Sequence, residues 1–416
     1  METVIVPSEI QGVVQAPPSK SMTQRAIAAA LLAEGESIIT NPSRCDDSMA
    51  AMSIAYGLGA VINNKANELK IKGSRKLKEK VLNCGESGLA IRMFSPIAAL
   101  HDSEIIMTGT GSLKKRPVSM IEDALRQFKV TCTSEGGFLP LTIKGPIKGG
   151  YCEIDGSVSS QLLTGLLMAL PVAAKNSEIK VVNLKSKPYI EMTLQVLDRF
   201  GIRIYRTGYS HFRIDGKQQY HARRFEVEGD WSAGALLLVA GAINGEITVN
   251  GLRPDSRQSD KAILTVLDSA GARTSIKENS IGVKKSDLKA FVFDATESPD
   301  LFPPLVTLAS FCEGISSIKG VSRLVYKESN RASALAEEFG KLNIKVEIDD
   351  DTMLVTGGNV KGGHVDSHGD HRIAMATAVA ALGASGKVFI KDSNAVNKSY
   401  PDFFGDLRHL GTMVYE

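Results

Sequence analysis

The first residues in this chain that ask for a chemical explanation are cations at the starts of helices. In APPSKSMTQRA, Lys20 and Arg25 occupy the first turns of a segment that runs on as IAAALLA, after two prolines and Ser19, a strong helix-start signal. A helix N-terminus carries about half a positive charge, so cations there are disfavoured unless an anion lies between them and the dipole. Arg372 in GDHRIAMATAVAAL repeats the arrangement. The starts PSKS, ESG, SVSSQ, DWSAG, SPD and GDHR all read as caps. Ser159, Ser160 and Gln161 place hydroxyl and amide groups beside backbone N–H groups, a seat suited to phosphate. The chemistry this points to is the binding of a multiply charged anion. Without that anion the start at Lys20 is expected to be poorly satisfied.

The elements that position these residues repeat. Six helical, small-residue-rich segments each pass through a short polar break into a β-rich run, from ALLAEGESIITNPSRCDD to ALGASGKVFIKDSNAVNKSYP. Anchored at Gly35, Ser103, Ser177, Gly245, Gly314 and Gly386, their spacings are 68, 74, 68, 69 and 72 residues. A period this long marks small βα subdomains rather than stacked solenoid turns. Within a repeat the order reads helix, strand, loop, second helix, then one or two strands. In YIEMTLQVLDRF (189–200) the apolar residues fall at helical spacing, and Gly201 stops the helix before the strand-like IRIY. Three repeats per domain is the simplest partition. The loop after each repeated strand carries cations: Arg44; Lys114, Lys115 and Arg116; Lys185 and Lys187; Arg253 and Arg257; Arg323, Lys327 and Arg331; Lys391 and Lys398. Six equivalent loops would present a ring of positive charge that concentrates a polyanion.

Composition excludes several classes. Lys and Arg number 49 against 46 Asp and Glu, a net +3, so no basic stripe for nucleic acid is implied. No apolar run approaches the ~20 residues of a membrane span. METVIVPSEIQGVV lacks a basic run followed by an apolar stretch, so no signal peptide is expected. The cysteines 45, 84, 132, 152 and 312 are odd in number and scattered, as expected of small core residues in a reducing cytoplasm. His364, His368 and His371 stand at spacings that resemble metal ligands, but Gly369 breaks a segment that reads as a loop entering a helix, so they need not share a face. GTGSL and GGNVKGG match neither nucleotide-binding glycine motif.

PPSKSMTQRA, KKRPV, DGSVSSQLLTGLL, SKPYIEMT, ESPDLFP, VYKESNRA, GDHRIAMA and NKSYPDFF occur in order along essentially the whole chain. In these segments the chain resembles the 5-enolpyruvylshikimate-3-phosphate (EPSP) synthases. That resemblance implies an α/β, two-domain enolpyruvyl transferase fold, an inside-out α/β barrel of six βαβαββ-type repeats, three about a pseudo-threefold axis in each domain. It assigns residues 19–227 to the first domain, mainly on the shikimate 3-phosphate side. Residues 1–18 and 228–416 form the second, mainly on the phosphoenolpyruvate side, with the active site in an interdomain cleft that closes on substrate. The implied reaction transfers the enolpyruvyl group of phosphoenolpyruvate to the 5-hydroxyl of shikimate 3-phosphate, releasing phosphate. The implied setting is a cytoplasmic monomer that needs neither metal nor organic cofactor and binds no nucleic acid or membrane.

Carried over position by position, Lys20, Ser21 and Arg25 contact shikimate 3-phosphate, with Ser159, Ser160, Gln161 and Ser186 completing the phosphate and ring contacts. Tyr189 lies beside the ring, and Asp300, Arg323 and Lys327 also belong to this substrate. Lys20, Arg116, Arg331, Arg372 and Lys398 bind phosphoenolpyruvate in a pocket lined by Gly88 and Gln161. Guanidinium forks suit two polyanions. Asp300 is the implied base at the 5-hydroxyl, and Glu328, with Lys20, manages the methylene proton.

The sequence departs from the family pattern at three places. GESGLAIRM puts Glu86, Leu89 and Met93 where Asn, Thr and Pro are usual, with a helix cap as the simplest role for Glu86. Asn330 replaces a frequent Asp, and Arg323 stands where many members place an Asn. Two alternatives stay in view. One is a UDP-N-acetylglucosamine enolpyruvyl transferase, whose reactive Cys position is here Gly111. The other is a catalytically silent paralogue that binds phosphorylated metabolites, which would have no need of both Asp300 and Glu328.

Overall fold

The computed structural model describes residues 1–65, 67–325 and 327–416. It divides into two compact bodies: a middle body, Pro18–Val227, and a terminal body made of Met1–Pro17 with Glu228–Glu416. The middle body holds helices α1 (Lys20–Leu32), α2 (Asp46–Gly57), α3 (Gly88–Ala98), α4 (Ser119–Gln127), α5 (Gln161–Ala169) and α6 (Lys187–Arg199). The terminal body holds α7 (Trp231–Asn244), α8 (Ile263–Ser269), α9 (Phe302–Ala309), α10 (Arg331–Lys341), α11 (His371–Leu382) and α12 (Phe403–His409).

Alternate helices are central. Helix α1 is buried from Met22 onward, and α3, α9 and α11 bury every residue. Beyond the polar residues near their starts these segments are largely apolar all round, and a helix of that kind is stable only when enclosed. The intervening helices are amphipathic. In α10, Ala334, Leu335, Glu338 and Phe339 share the buried face.

Around the central helices the described residues form six four-stranded sheets of one design, three in each body. In each, two parallel strands adjoin an antiparallel pair. The second repeat of the middle body shows the path: Val81–Asn83, α3, the parallel strand Glu104–Thr108, α4, then Thr131–Glu135 and Phe138–Lys144. Two strands are exchanged. Ile10–Gln15, which precedes α1, pairs in parallel with Gly245–Asn250, while Arg224–Glu226, which precedes α7, pairs with Glu36–Thr40. Glu2–Ile5 completes the last sheet beside Val388–Lys391. Each body therefore closes its own set of three repeats with a strand from a distant part of the sequence.

One expected strand starts later. Only Tyr205–Thr207 of the IRIY region is in the sheet. The Ile202 N–H closes α6 on the Leu197 carbonyl (2.9 Å). Gln218 takes both backbone groups of Arg203, accepting from its N–H (2.9 Å) and donating to its carbonyl (3.0 Å). All five cysteines are buried and unpaired.

Helices α3 and α5 approach closely for a readable reason. Pro96 inside α3 has no N–H to donate to the Arg92 carbonyl. A Cβ at Gly165 of α5 would lie 2.5 Å from that carbonyl oxygen and 2.8 Å from that of Met93. Because the obstacle is backbone, Gly165→Ala is expected to destabilise the fold by about 1–3 kcal/mol, read as a lower urea midpoint with unchanged slope.

Candidate active site

In the middle body the candidate residues stand at the starts of the central helices. Ser19 caps α1, its hydroxyl accepting from the Met22 N–H (3.4 Å). The Lys20 ammonium lies 2.9 Å from the Asp47 carboxylate at the start of α2. The start of α1 is therefore well satisfied without ligand, which corrects the expectation from charge alone. Asp47 was not among the candidates; only its place in a helix start, RCDDSM, hinted at it.

Arg25 is almost wholly buried. Its Nε donates to Thr193 Oγ1 (2.9 Å), Nη1 to the Ser21 carbonyl (2.8 Å) and Nη2 to the Tyr189 carbonyl (3.4 Å). Burial lowers its pKa to about 10, only partly offset by Tyr189, so it keeps its charge at neutral pH. All three acceptors are neutral. Thr193 also meets Thr164 of α5 at 3.0 Å, which ties α1, α5 and α6 together. Ser186 precedes α6 with φ +57°, and its carbonyl accepts from the Tyr189 N–H (3.1 Å). Ser21, Arg25 and Tyr189 are thus brought together.

A second group forms where α3 and α5 begin. Ser87 caps α3, and its hydroxyl donates to Gln24 Oε1 of α1 (3.2 Å). Arg92 donates to the Gly88 carbonyl (3.2 Å), Gln161 Oε1 (3.1 Å) and the Pro117 carbonyl (3.4 Å). Sequence reasoning missed Arg92, although it stands in the GESGLAIRM stretch already singled out. A Cβ at Gly88 would fall 2.5 Å from Arg116 Nη1 and 2.8 Å from Arg92 Nη1, so two guanidinium groups converge there beside Gln161. Ser160 makes no side-chain capping bond; instead Ser159 Oγ accepts from the Gln161 N–H (3.1 Å). Glu86 does not cap α3 either. Its carboxylate accepts from the Ser112 N–H (2.8 Å) and lies within 2.5 Å of where a Cβ of Gly111 would be.

The terminal body gathers charges of both signs. Asp300 Oδ1 lies 2.8 Å from Arg331 Nη1, 3.1 Å from Lys327 Nζ and 3.5 Å from Arg372 Nε. Burial alone would raise the Asp300 pKa, but Arg372, Lys327 and Arg331 together hold it well below the ordinary carboxylate range. The same burial lowers the Lys327 ammonium, against the pull of Asp300. Arg331 has no exposed surface. Its Nη2 lies 2.5 Å from Glu328, and its Nε and Nη2 donate to the two oxygens of Asp370 (2.9 and 3.1 Å). Asp370 caps α11 through the Arg372 N–H (2.9 Å), and Lys398 Nζ donates to the neighbouring Gly369 carbonyl (2.6 Å). Arg323 lies in the short turn Val321–Leu324, close enough for its charge to lower Lys327. Asn330 caps α10 (3.5 Å), so that departure is structurally benign. Asp370 and Asp260 were not anticipated; as acids at helix starts they look in sequence like ordinary caps.

Two expectations fail here, the complete ring of cations and the loop placement of His364. Arg253 and Lys391 form exposed surface pairs with Asp255 and Asp366, so the ring of cations is incomplete. The three histidines do not assemble. His364 lies on the strand Gly363–Asp366 rather than in a loop and stacks on Phe389, His371 is buried at the start of α11, and His368 turns to Glu338.

Asp260 is pushed up to about 6, by burial first and then by the charge of Asp300, despite Arg372 and hydrogen bonds from Ser232 and Ser259. The folded chain holds this proton more tightly than the unfolded one. Its contribution to stability is therefore full below about pH 4 and lost as the pH rises through about 6. Asp260→Asn, which cannot ionise, is expected to gain on the wild type between pH 4 and pH 7 by roughly 2–3 kcal/mol, measured as urea-unfolding free energies. An unchanged difference at the two pH values would show an ordinary carboxylate.

With this geometry in hand, comparisons with known proteins are specific. Residues 4–407 match the sequence model of the family described as EPSP synthase (3-phosphoshikimate 1-carboxyvinyltransferase). The 3-phosphoshikimate 1-carboxyvinyltransferase of Clostridium kluyveri is 39% identical over 99% of this chain and 98% of its own length. Among solved structures, the EPSP synthase of Acinetobacter baumannii superposes with a TM-score of 0.83 at 25% identity, covering 100% of both chains. The enolpyruvyl transferase NikO of Streptomyces tendae shares the fold, with a TM-score of 0.82 at 17% identity over 100% of this chain and 98% of its own.

Proposed function

The chain belongs to the EPSP synthase family, and on that premise we propose that it transfers the enolpyruvyl (carboxyvinyl) group of phosphoenolpyruvate to the 5-hydroxyl of shikimate 3-phosphate. Its architecture is the two-domain enolpyruvyl transferase fold. The observation that carries the residue assignment is the Asp300–Arg331–Glu328 cluster, two carboxylates held on one buried guanidinium beside Lys327 and Arg372.

Arg25, a buried cation with neutral partners, with Lys20, Ser21, Ser159, Ser160, Gln161, Ser186 and Tyr189, serves shikimate 3-phosphate. Asp300, Arg323 and Lys327 complete that set. Lys20, Arg116, Arg331, Arg372 and Lys398 serve phosphoenolpyruvate, with Gly88 and Gln161 lining its place. The 5-hydroxyl oxygen bonds to C2 of phosphoenolpyruvate as its proton passes to Asp300, and C3 takes a proton that the Lys20 ammonium supplies through Glu328. The adduct then collapses: the bond from C2 to the phosphate oxygen breaks and C3 returns its proton through Glu328 to Lys20. Phosphate leaves with the proton held by Asp300. The cations stabilise the charge that develops on the leaving group.

We place the reaction in the cytoplasm and assign it to a monomer. Five buried thiols suit a reducing compartment, and among the described residues no helix is long and apolar enough to cross a membrane. The UDP-N-acetylglucosamine alternative is disfavoured at Gly111, where a Cys side chain would meet the Glu86 carboxylate.

Phosphate release from shikimate 3-phosphate and phosphoenolpyruvate tests the reading. Turnover by the wild type is expected to fall about a thousandfold in kcat in Asp300→Ala; an inactive wild type would sink the proposal and favour a silent paralogue. Gly88→Ala, which forces Arg116 and Arg92 aside, is expected to raise the KM for phosphoenolpyruvate several-fold. Its KM for shikimate 3-phosphate should stay near the wild-type value.

A further inference from the structure

We propose that Glu338 and His368 are positioning residues, a clasp on a buried carboxylate that holds the turn leading into α11 in register with α10. The inference rests on the functional reading above, because that turn carries Asp370, Arg372 and the carbonyl that holds Lys398.

Glu338 is a carboxylate with no exposed surface, on the buried helix face that also carries Ala334, Leu335 and, two turns earlier, Arg331. Burial of such a charge is tolerable only with several strong donors. It has three: Lys341 Nζ at 2.8 and 3.0 Å, the Asp366 N–H at 2.8 Å and His368 Nε2 at 2.6 Å. Two of the three come from the segment that enters α11. Seven residues, or two turns, earlier on α10, Arg331 grips Asp370 in the same segment. The helix and the turn are thus joined at two points, one at the charge cluster and one remote from it.

The turn between those points is strained. His368 has φ +53° and is followed by Gly369 at φ +65°. The left-handed conformation at a non-glycine residue costs roughly 1 kcal/mol or more and persists only where surrounding contacts enforce it. The imidazole bond to Glu338 supplies one such contact, and the His368 N–H bond to Asp366 Oδ1 (2.7 Å) another. The consequence lies one residue further on, at the Gly369 carbonyl, which fixes the Lys398 ammonium.

The ligand atoms of Glu337, Glu338 and His368 lie within 4.8 Å of one another, close enough to invite a metal assignment. The chain fills that place itself, because Lys341 Nζ also sits 2.9 Å from Glu337. An ammonium already meets the charge a cation would neutralise, so the cluster reads as a clasp.

The test compares wild type, Glu338→Gln, His368→Phe, His368→Gln and the double variant Glu338→Gln/His368→Phe. His368 is one-third exposed, so its variants are expected to fold. Glu338→Gln and His368→Phe are expected to raise the KM for phosphoenolpyruvate about tenfold or more, with a smaller fall in kcat and an unchanged KM for shikimate 3-phosphate. His368→Gln, which keeps an N–H donor, should recover most of the loss. The double variant should be no worse than the worse single, as two halves of one contact require. Amide hydrogen exchange at Gly369–Arg372, measured without substrate, should quicken in His368→Phe. Wild-type exchange protection there, or a His368→Phe enzyme with wild-type KM for phosphoenolpyruvate, would overturn the clasp. Absence of turnover in the wild type would instead count against the functional reading, while the exchange measurement still decides the clasp.

Discussion

Arg331 is the interaction on which the terminal body's charge cluster depends. A guanidinium with no access to water must have its N–H donors and its charge met by the protein. Here three carboxylates do this: Asp300 from the turn before α9, Glu328 from the turn before α10, and Asp370 from the cap of α11. One buried cation thereby fixes the relative placement of three segments distant in sequence. The cap at Asp370 extends the order to Arg372 through its backbone N–H. Removing the cation would leave three acids facing one another, which is why the cluster behaves as a unit.

The middle body solves the same problem of buried charge differently. Lys20 is met by Asp47, but among the described residues Arg25 is held by two carbonyls and a hydroxyl. Neutral acceptors satisfy the geometry of a guanidinium without cancelling its charge. The polar ties from Gln24 to Ser87 and from Arg92 to Gln161 join the starts of α1, α3 and α5 and keep that charge in a defined place. A buried positive charge beside helix N-termini attracts anions by ordinary electrostatics, which is what the proposed role of Arg25 uses. The two bodies thus handle buried cations differently, one with neutral acceptors around Arg25 and the other with carboxylates around Arg331.

Much of this was legible in the sequence because the repeat is strict. A period near seventy residues, small-residue helices and capped starts gave the six βα units and placed the candidate residues at helix N-termini. Side-chain pairing was not legible. Whether Lys20 faces water or Asp47, and whether Asp370 is a cap or also a partner of Arg331, depends on which helices adjoin. Sequence spacing does not carry that information. The IRIY segment failed for a similar reason, since one distant glutamine, Gln218, took backbone groups that local pattern assigned to a strand. The supposed cap at Glu86 failed because Ser87 already filled that role.

The depressed proton affinity of Asp300 at first argues against its use as a base. A carboxylate gripped by Arg331, Lys327 and Arg372 accepts a proton poorly. The three grips are unequal, however. Arg331 is locked by Glu328 and Asp370, whereas Arg372 reaches Asp300 only at 3.5 Å. A phosphate or carboxylate arriving beside Arg372 and Lys327 competes with Asp300 for exactly the charges that suppress it. Each cation turned toward the anion raises the basicity of Asp300, and desolvation by the bound substrates raises it further. On the proposed assignment of Asp300 as the base, it would be weak while the site is empty and strengthen as the second substrate binds, so substrate binding itself would set the protonation chemistry.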